Sequence, residues 1–201
     1  MGKINDNFAE VYGAAGVFKT VAGLWYLPFS GGSLAAGTAF AANSLRVHPL
    51  VVSERCTISD LGTRISTAGT GNVAFAIYAR DPATNNPTGA PLGTTSGVSN
   101  AAATLVSAPL TTPVTLNPGV YWLAALADSS ANYQAAGAGS MFMGWAVGGT
   151  QAAISATNTT GLQTYTYAAT YGTWPDLTGV APTALSNAGY ALVQFFVSSV
   201  P

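Results

Sequence analysis

Beyond Gly16 the apolar positions recur with the period of two of a β-strand, not the 3.6 of a helix. Val73, Phe75 and Ile77 form a clean alternating face after the Gly69-Thr70-Gly71 turn. Cys56, Ile58, Leu61, Thr63 and Ile65 alternate with one phase slip at Asp60, which predicts a β-bulge there. Leu24 to Leu27 is a β-rich run stopped by Pro28. Asn43 to Val47 and Leu50 to Val52 flank His48-Pro49, and Asn117-Pro118-Gly119 makes a sharp turn before the apolar run 120–126. Val98, Leu105, Val114 and Leu116 suggest further short strands, and Met141, Met143, Trp145 and Val147 alternate again. Residues 82–97 read as a Pro/Asn/Gly/Thr loop, and 148–189 as irregular, polar-aromatic and Gly-rich. Tyr190 to Val197 reads as a closing strand. Many short strands separated by Gly/Pro turns predict a sandwich or barrel. Runs 120–126 and 190–197 are so uniformly apolar that both their faces need cover, one from an opposing sheet and one from a loop or a neighbouring subunit.

The helical period occurs once. Ile4, Phe8, Val11 and Tyr12 fall at i, i+4, i+7 and i+8, Asn7 and Glu10 have capping-box spacing, and Gly13 and Gly16 end the segment. So short a helix is marginal alone in water, so its stripe must pack on its own β domain, on other copies or on another protein. The expected architecture is all-β: a jelly-roll-like β-sandwich over residues 17–201, preceded by a short N-terminal helical attachment segment over 1–16.

Composition narrows the chemistry. Of 201 residues 49% are hydrophobic and only 6% charged, against about 25% charged in an average domain. Such a composition argues against most disorder, and its neutral surface favours self-association. The formal net charge of −1 gives no attraction to nucleic acid or to an anionic membrane. All six Lys and Arg residues lie in the first 80 positions, and after Asp81 only Asp128 and Asp176 are charged. That long charge-poor stretch points to partial covering by partners. The first residues contain no apolar signal-peptide core, and no apolar run reaches the length of a membrane span, so the expected setting is the cytosol or a particle assembled there, without membrane insertion.

Catalytic and metal motifs are missing from the sequence. His48 is the single histidine and Cys56 the single cysteine. No Gly-x-Ser-x-Gly elbow, P-loop or dinucleotide fingerprint is present, and the seven acidic residues form no close pair. The expectation is a non-enzyme without a cofactor or metal, with His48 in a structural role. One constellation stands out: Tyr165, Tyr167, Tyr171 and Trp174, within ten residues and separated by Thr, Ala and Gly. Such rings give large contact area at low entropic cost and suit a binding loop for a sugar face or a partner. The alternative is that they cover the end of the sandwich or pack between subunits.

The opening run Lys3-Ile4-Asn5-Asp6-Asn7-Phe8-Ala9-Glu10-Val11-Tyr12 resembles the helix common in tailed-bacteriophage fibre and minor structural proteins. Trp25-Tyr26-Leu27-Pro28, Ala42-Asn43-Ser44-Leu45, Cys56 to Gly62, Ala76-Ile77-Tyr78, Gly89-Ala90-Pro91-Leu92 and Pro118 to Ala124 extend the resemblance, in order, to the β-sandwich module of phage virion proteins. It covers most of residues 1–126 and fades afterwards. The resemblance implies a virion component on the particle surface, assembled in the host cytoplasm. It implies a homo-oligomer, often a trimer. The unpartnered apolar stripe of the short helix then makes Ile4, Phe8, Val11 and Tyr12 the expected oligomer or particle-attachment residues, meeting other copies or other virion proteins. A fibre or spike that binds a host-surface glycan and a capsid decoration or head-fibre protein are both compatible with it.

Overall fold

The computed structural model describes residues 20–30, 34–136, 141–142, 164–185 and 192–201. The proposed N-terminal helix, with Ile4, Phe8, Val11 and Tyr12, lies outside them. The described residues are all-β, without a helix, and form two antiparallel sheets and one small ribbon. No helix among them is long and apolar enough to cross a membrane.

The first sheet has six strands. β1 (Leu24–Tyr26) pairs with β15 (Gln194–Ser199), which pairs with β5 (Cys56–Thr67). β5 then meets β11 (Ala131–Ala136), and β11 meets the edge strand β3 (Leu34–Phe40), while β9 (Leu105–Leu116) lies along β5. The bulge expected at Asp60 is present as a register shift between Ile58 and Asp60 against β9. β5 and β9 approach closely at Gly62, where a Cβ would stand 2.6 Å from the Val106 carbonyl oxygen.

The second sheet runs β14 (Thr183–Leu185), β13 (Thr164–Ala168), β4 (Ser44–Val52), β10 (Gly119–Ala127), β6 (Asn72–Arg80) and β7 (Pro87–Thr94), with β8 (Val98–Ser99) on β6. The ribbon joins β2 (Phe29–Ser30) to β12 (Met141–Phe142).

The sheets pack face to face. Leu50, Val52, Val73, Phe75, Ile77, Leu123 and Ala125 of the second sheet meet Ile58, Leu61, Ile65, Leu116, Phe195 and Val197 of the first in one buried core. Period two then forces the intervening residues outward. Leu45, Val47, Ala76, Tyr78, Trp122, Ala124 and Leu126 form a second buried cluster on the far side of β4, β10 and β6, closed by Tyr167 and Leu177. Run 120–126 is therefore covered on both faces, and its outer cover includes a loop of the same chain. β15 behaves differently: Phe195 and Val197 are buried while Gln194 and Phe196 are half-buried on the opposite side, Phe196 beside the exposed Trp25 at 5.6 Å between ring centres.

Several expectations are corrected. The loop read at 82–97 contains β7, an edge strand whose Pro87 opens it and so removes no ladder bond from a central strand. The short pieces read between 105 and 116 are one strand of 12 residues; Pro109 is tolerated because β9 pairs with β5 alone among the named strands, and Pro113 falls in the stretch 110–113 that the register shift leaves out of that ladder. The irregular region beyond 148 contains β13 and β14. The closing strand begins at Gln194; residues 190 and 191 lie outside the described set.

Candidate functional site

The aromatic segment begins on β13. Tyr165 pairs with Val47 and Tyr167 with Leu45, so β13 continues the sheet outward from β4. Tyr165 is half-buried, its ring 5.2 Å from that of the fully buried Trp122. Tyr167 is 3% exposed, and burial drives its hydroxyl well above the usual phenol range. That hydroxyl has no hydrogen-bond partner among the described residues. Burial likewise raises Tyr165, and it raises Tyr171 together with the nearby charge of Asp128.

After Ala168 the chain leaves the sheet and crosses the outer cluster as a strap. The Tyr171 amide donates to Asn43 Oδ1 at 2.9 Å, and the half-buried Trp174 packs on the cluster. The Tyr78 hydroxyl donates to the Pro175 carbonyl at 3.0 Å, and the Leu177 amide to the Gly89 carbonyl at 3.0 Å. All four aromatic residues singled out from the sequence therefore adjoin one cluster. Tyr167 is withdrawn from any ligand, whereas Tyr165, Tyr171 and Trp174 each keep part of their surface in solvent.

The polar groups with chemical potential are held in structural bonds. His48 sits on the inner face of β4, fully buried, and accepts the Val193 amide at Nε2 at 3.0 Å. Burial lowers its pKa to about 4, so the ring is neutral with its proton on Nδ1, which faces the Pro49 carbonyl at 3.4 Å. Two positions earlier on the same face, the Arg46 guanidinium lies 4.5 Å from the centre of the Phe40 ring. Asp128 accepts both the backbone amide and the side-chain amide of Asn72, at 2.6 and 3.1 Å. The Cys56 thiol is buried, and burial, then the charge of Glu54, raises its pKa. Among the described residues no group of three His, Cys, Asp or Glu side chains is placed to hold a metal ion.

Sequence reasoning passed over Asn100. It is fully buried: its Oδ1 accepts the Gly71 amide at 2.9 Å, and its Nδ2 donates to the Tyr133 hydroxyl at 3.0 Å and to Ser129 Oγ at 3.1 Å. An Asn after a short strand reads as turn punctuation, and only the fold shows three segments meeting on it. Comparison with protein-family models and with curated proteins gave no match.

Proposed function

We propose that this chain is a structural protein of a tailed-bacteriophage virion, a surface fibre or spike module that binds a host-surface glycan. In this reading the two-sheet body is a jelly-roll sandwich. It works as a homo-oligomer, most simply a trimer, and Ile4, Phe8, Val11 and Tyr12 join it to its own copies and to other virion proteins. The observation that carries the proposal is the pairing of the Lys3–Tyr12 motif with an all-β body whose outer cluster is crossed by a strap bearing partly exposed Tyr165, Tyr171 and Trp174. Rings fixed by packing lose little entropy when a partner lands on them, which suits recognition. The particle surface is the setting, reached by assembly in the host cytoplasm, and no cofactor is invoked.

One observation favours a second reading, a capsid decoration or head-fibre protein with a mainly structural role. Tyr167 is buried, and its three neighbours spend much of their surface on the protein's own sheet. Electron microscopy of particles carrying labelled protein separates the two: label at the tail tip or fibre supports the first, label on capsid positions the second. Sedimentation of the purified chain checks the trimer, and a stable monomer would remove that part of the proposal.

A further inference from the structure

A cleft of about 250 Å³ opens between the β6–β7 turn and the end of the strap. Asp81, Thr84, Asn86 and Thr88 line one side, and Val180 and Pro182 the other, with the buried Leu177 between them. Pockets for drug-sized ligands run to about 300–1,000 Å³, so this one is matched to a single ring-sized ligand.

Both walls are anchored. On the turn side, the Trp122 indole N–H donates to the Asn85 carbonyl at 3.1 Å, Arg80 Nη1 donates to Asn85 Oδ1 at 2.8 Å, and Asp81 Oδ1 accepts the Ala83 amide at 2.8 Å. On the strap side, the Tyr78 and Leu177 bonds hold Pro175 and Leu177 down. Trp122 and Tyr78 belong to the outer cluster, so the same packing that buries the aromatic segment fixes the cleft. A site held in shape before its ligand arrives loses little on ordering.

We propose that this cleft binds one neutral monosaccharide unit, the terminal sugar of the glycan in the reading above, on which this inference rests. The chemistry on its walls suits a sugar on both sides. The Asp81 carboxylate already accepts from Ala83 and Thr84 in its own turn and, being partly exposed, has lone-pair capacity left for a sugar hydroxyl, a charge-assisted bond of the stronger kind. Asn86 and Thr88 supply groups that both donate and accept. Val180 and Pro182 give an apolar surface for the C–H face of the ring. Asp81 also sets selectivity: it repels a sugar acid, and the adjacent Arg80 guanidinium is bonded to Asn85.

The test is a titration of the full-length ¹⁵N-labelled chain with methyl α-glucoside, methyl α-galactoside, N-acetylglucosamine and glucuronate, read by amide shifts. The expected result is saturable shifts confined to residues 81–88 and 177–182 with at least one neutral sugar, and none with glucuronate. Asp81→Asn, which keeps the acceptor for the Ala83 amide, should weaken that binding about tenfold. Val180→Arg, at a 44% exposed position, should block it without disturbing the fold. Shifts that fall elsewhere, or none with any neutral sugar, overturn the inference. Binding to purified host-surface polysaccharide, measured in parallel, separates the two levels. Binding that is undiminished in both variants overturns the cleft and leaves the glycan-binding reading standing, whereas no polysaccharide binding by the native chain overturns that reading itself.

Discussion

His48 Nε2 accepts the backbone amide of Val193 across 145 positions of sequence, 3.0 Å away and fully buried. The bond ties the second sheet to the residue that leads into β15 of the first. It needs the neutral ring, since a protonated imidazole has only donors.

A pH dependence follows. The folded-state pKa of about 4 lies below the ordinary 6.5, so the unfolded chain binds the proton more readily. The contribution is complete above pH 6.5 and is lost as pH falls towards 4, on the order of 3 kcal/mol over that window. Urea denaturation between pH 4 and 8 should show this loss, and His48→Gln should flatten it. A native chain equally stable at pH 4.5 and 7 would refute the assignment.

Asn100→Ala removes the acceptor for Gly71 and leaves the buried Tyr133 hydroxyl and the half-buried Ser129 short of a partner. The expected loss is about 2–4 kcal/mol. A double-mutant cycle with Tyr133→Phe should show coupling, and strict additivity would mean the two side chains act independently.

Tyr167→Phe should raise stability by about 1 kcal/mol. Its hydroxyl is buried without a partner among the described residues, and removing such a group relieves its desolvation cost while keeping the ring. A clear loss of stability in equilibrium unfolding would show that the hydroxyl is satisfied after all.

Tyr78→Phe deletes the bond to the Pro175 carbonyl and should loosen the strap more than the sandwich. Hydrogen exchange should accelerate at the Leu177 amide, which is bonded to Gly89, with about 1 kcal/mol lost overall. Unchanged exchange at Leu177 would mean the strap is held by packing alone.

The β class was legible because alternation at Val73, Phe75 and Ile77, and the slip at Asp60, are local signals written in adjacent residues. The outer cover of 120–126 was foreseeable in kind, since Trp122, Ala124 and Leu126 had to face something apolar. What covers it was not, because Tyr167 and Leu177 reach that face only after the chain has traversed most of the fold. β7 and β9 were misread because prolines that stop a central strand are harmless at an edge. The aromatic segment was visible as composition, but burial separates Tyr167 from its neighbours, and burial is set by strand register. The cleft was invisible, since Asp81 and Val180 are brought together only by the strap.

The three-residue strand β1 has a mechanical consequence. Among the named strands it pairs only with β15, through Leu24, Trp25 and Tyr26 opposite Val197, Phe196 and Phe195. The Gly23 amide adds one bond to Val197, and the Thr20 amide one to the Glu54 carboxylate. Tension entering from the N-terminal side would meet this short ladder before it reached the twelve-residue β5. Peeling residues 20–27 away, up to the β2–β12 ribbon, would pay out roughly 27 Å of chain at about 3.4 Å per residue. For a protein tethered through its first residues, that stretch would act as a shock absorber, yielding under load and re-zipping when the load is gone.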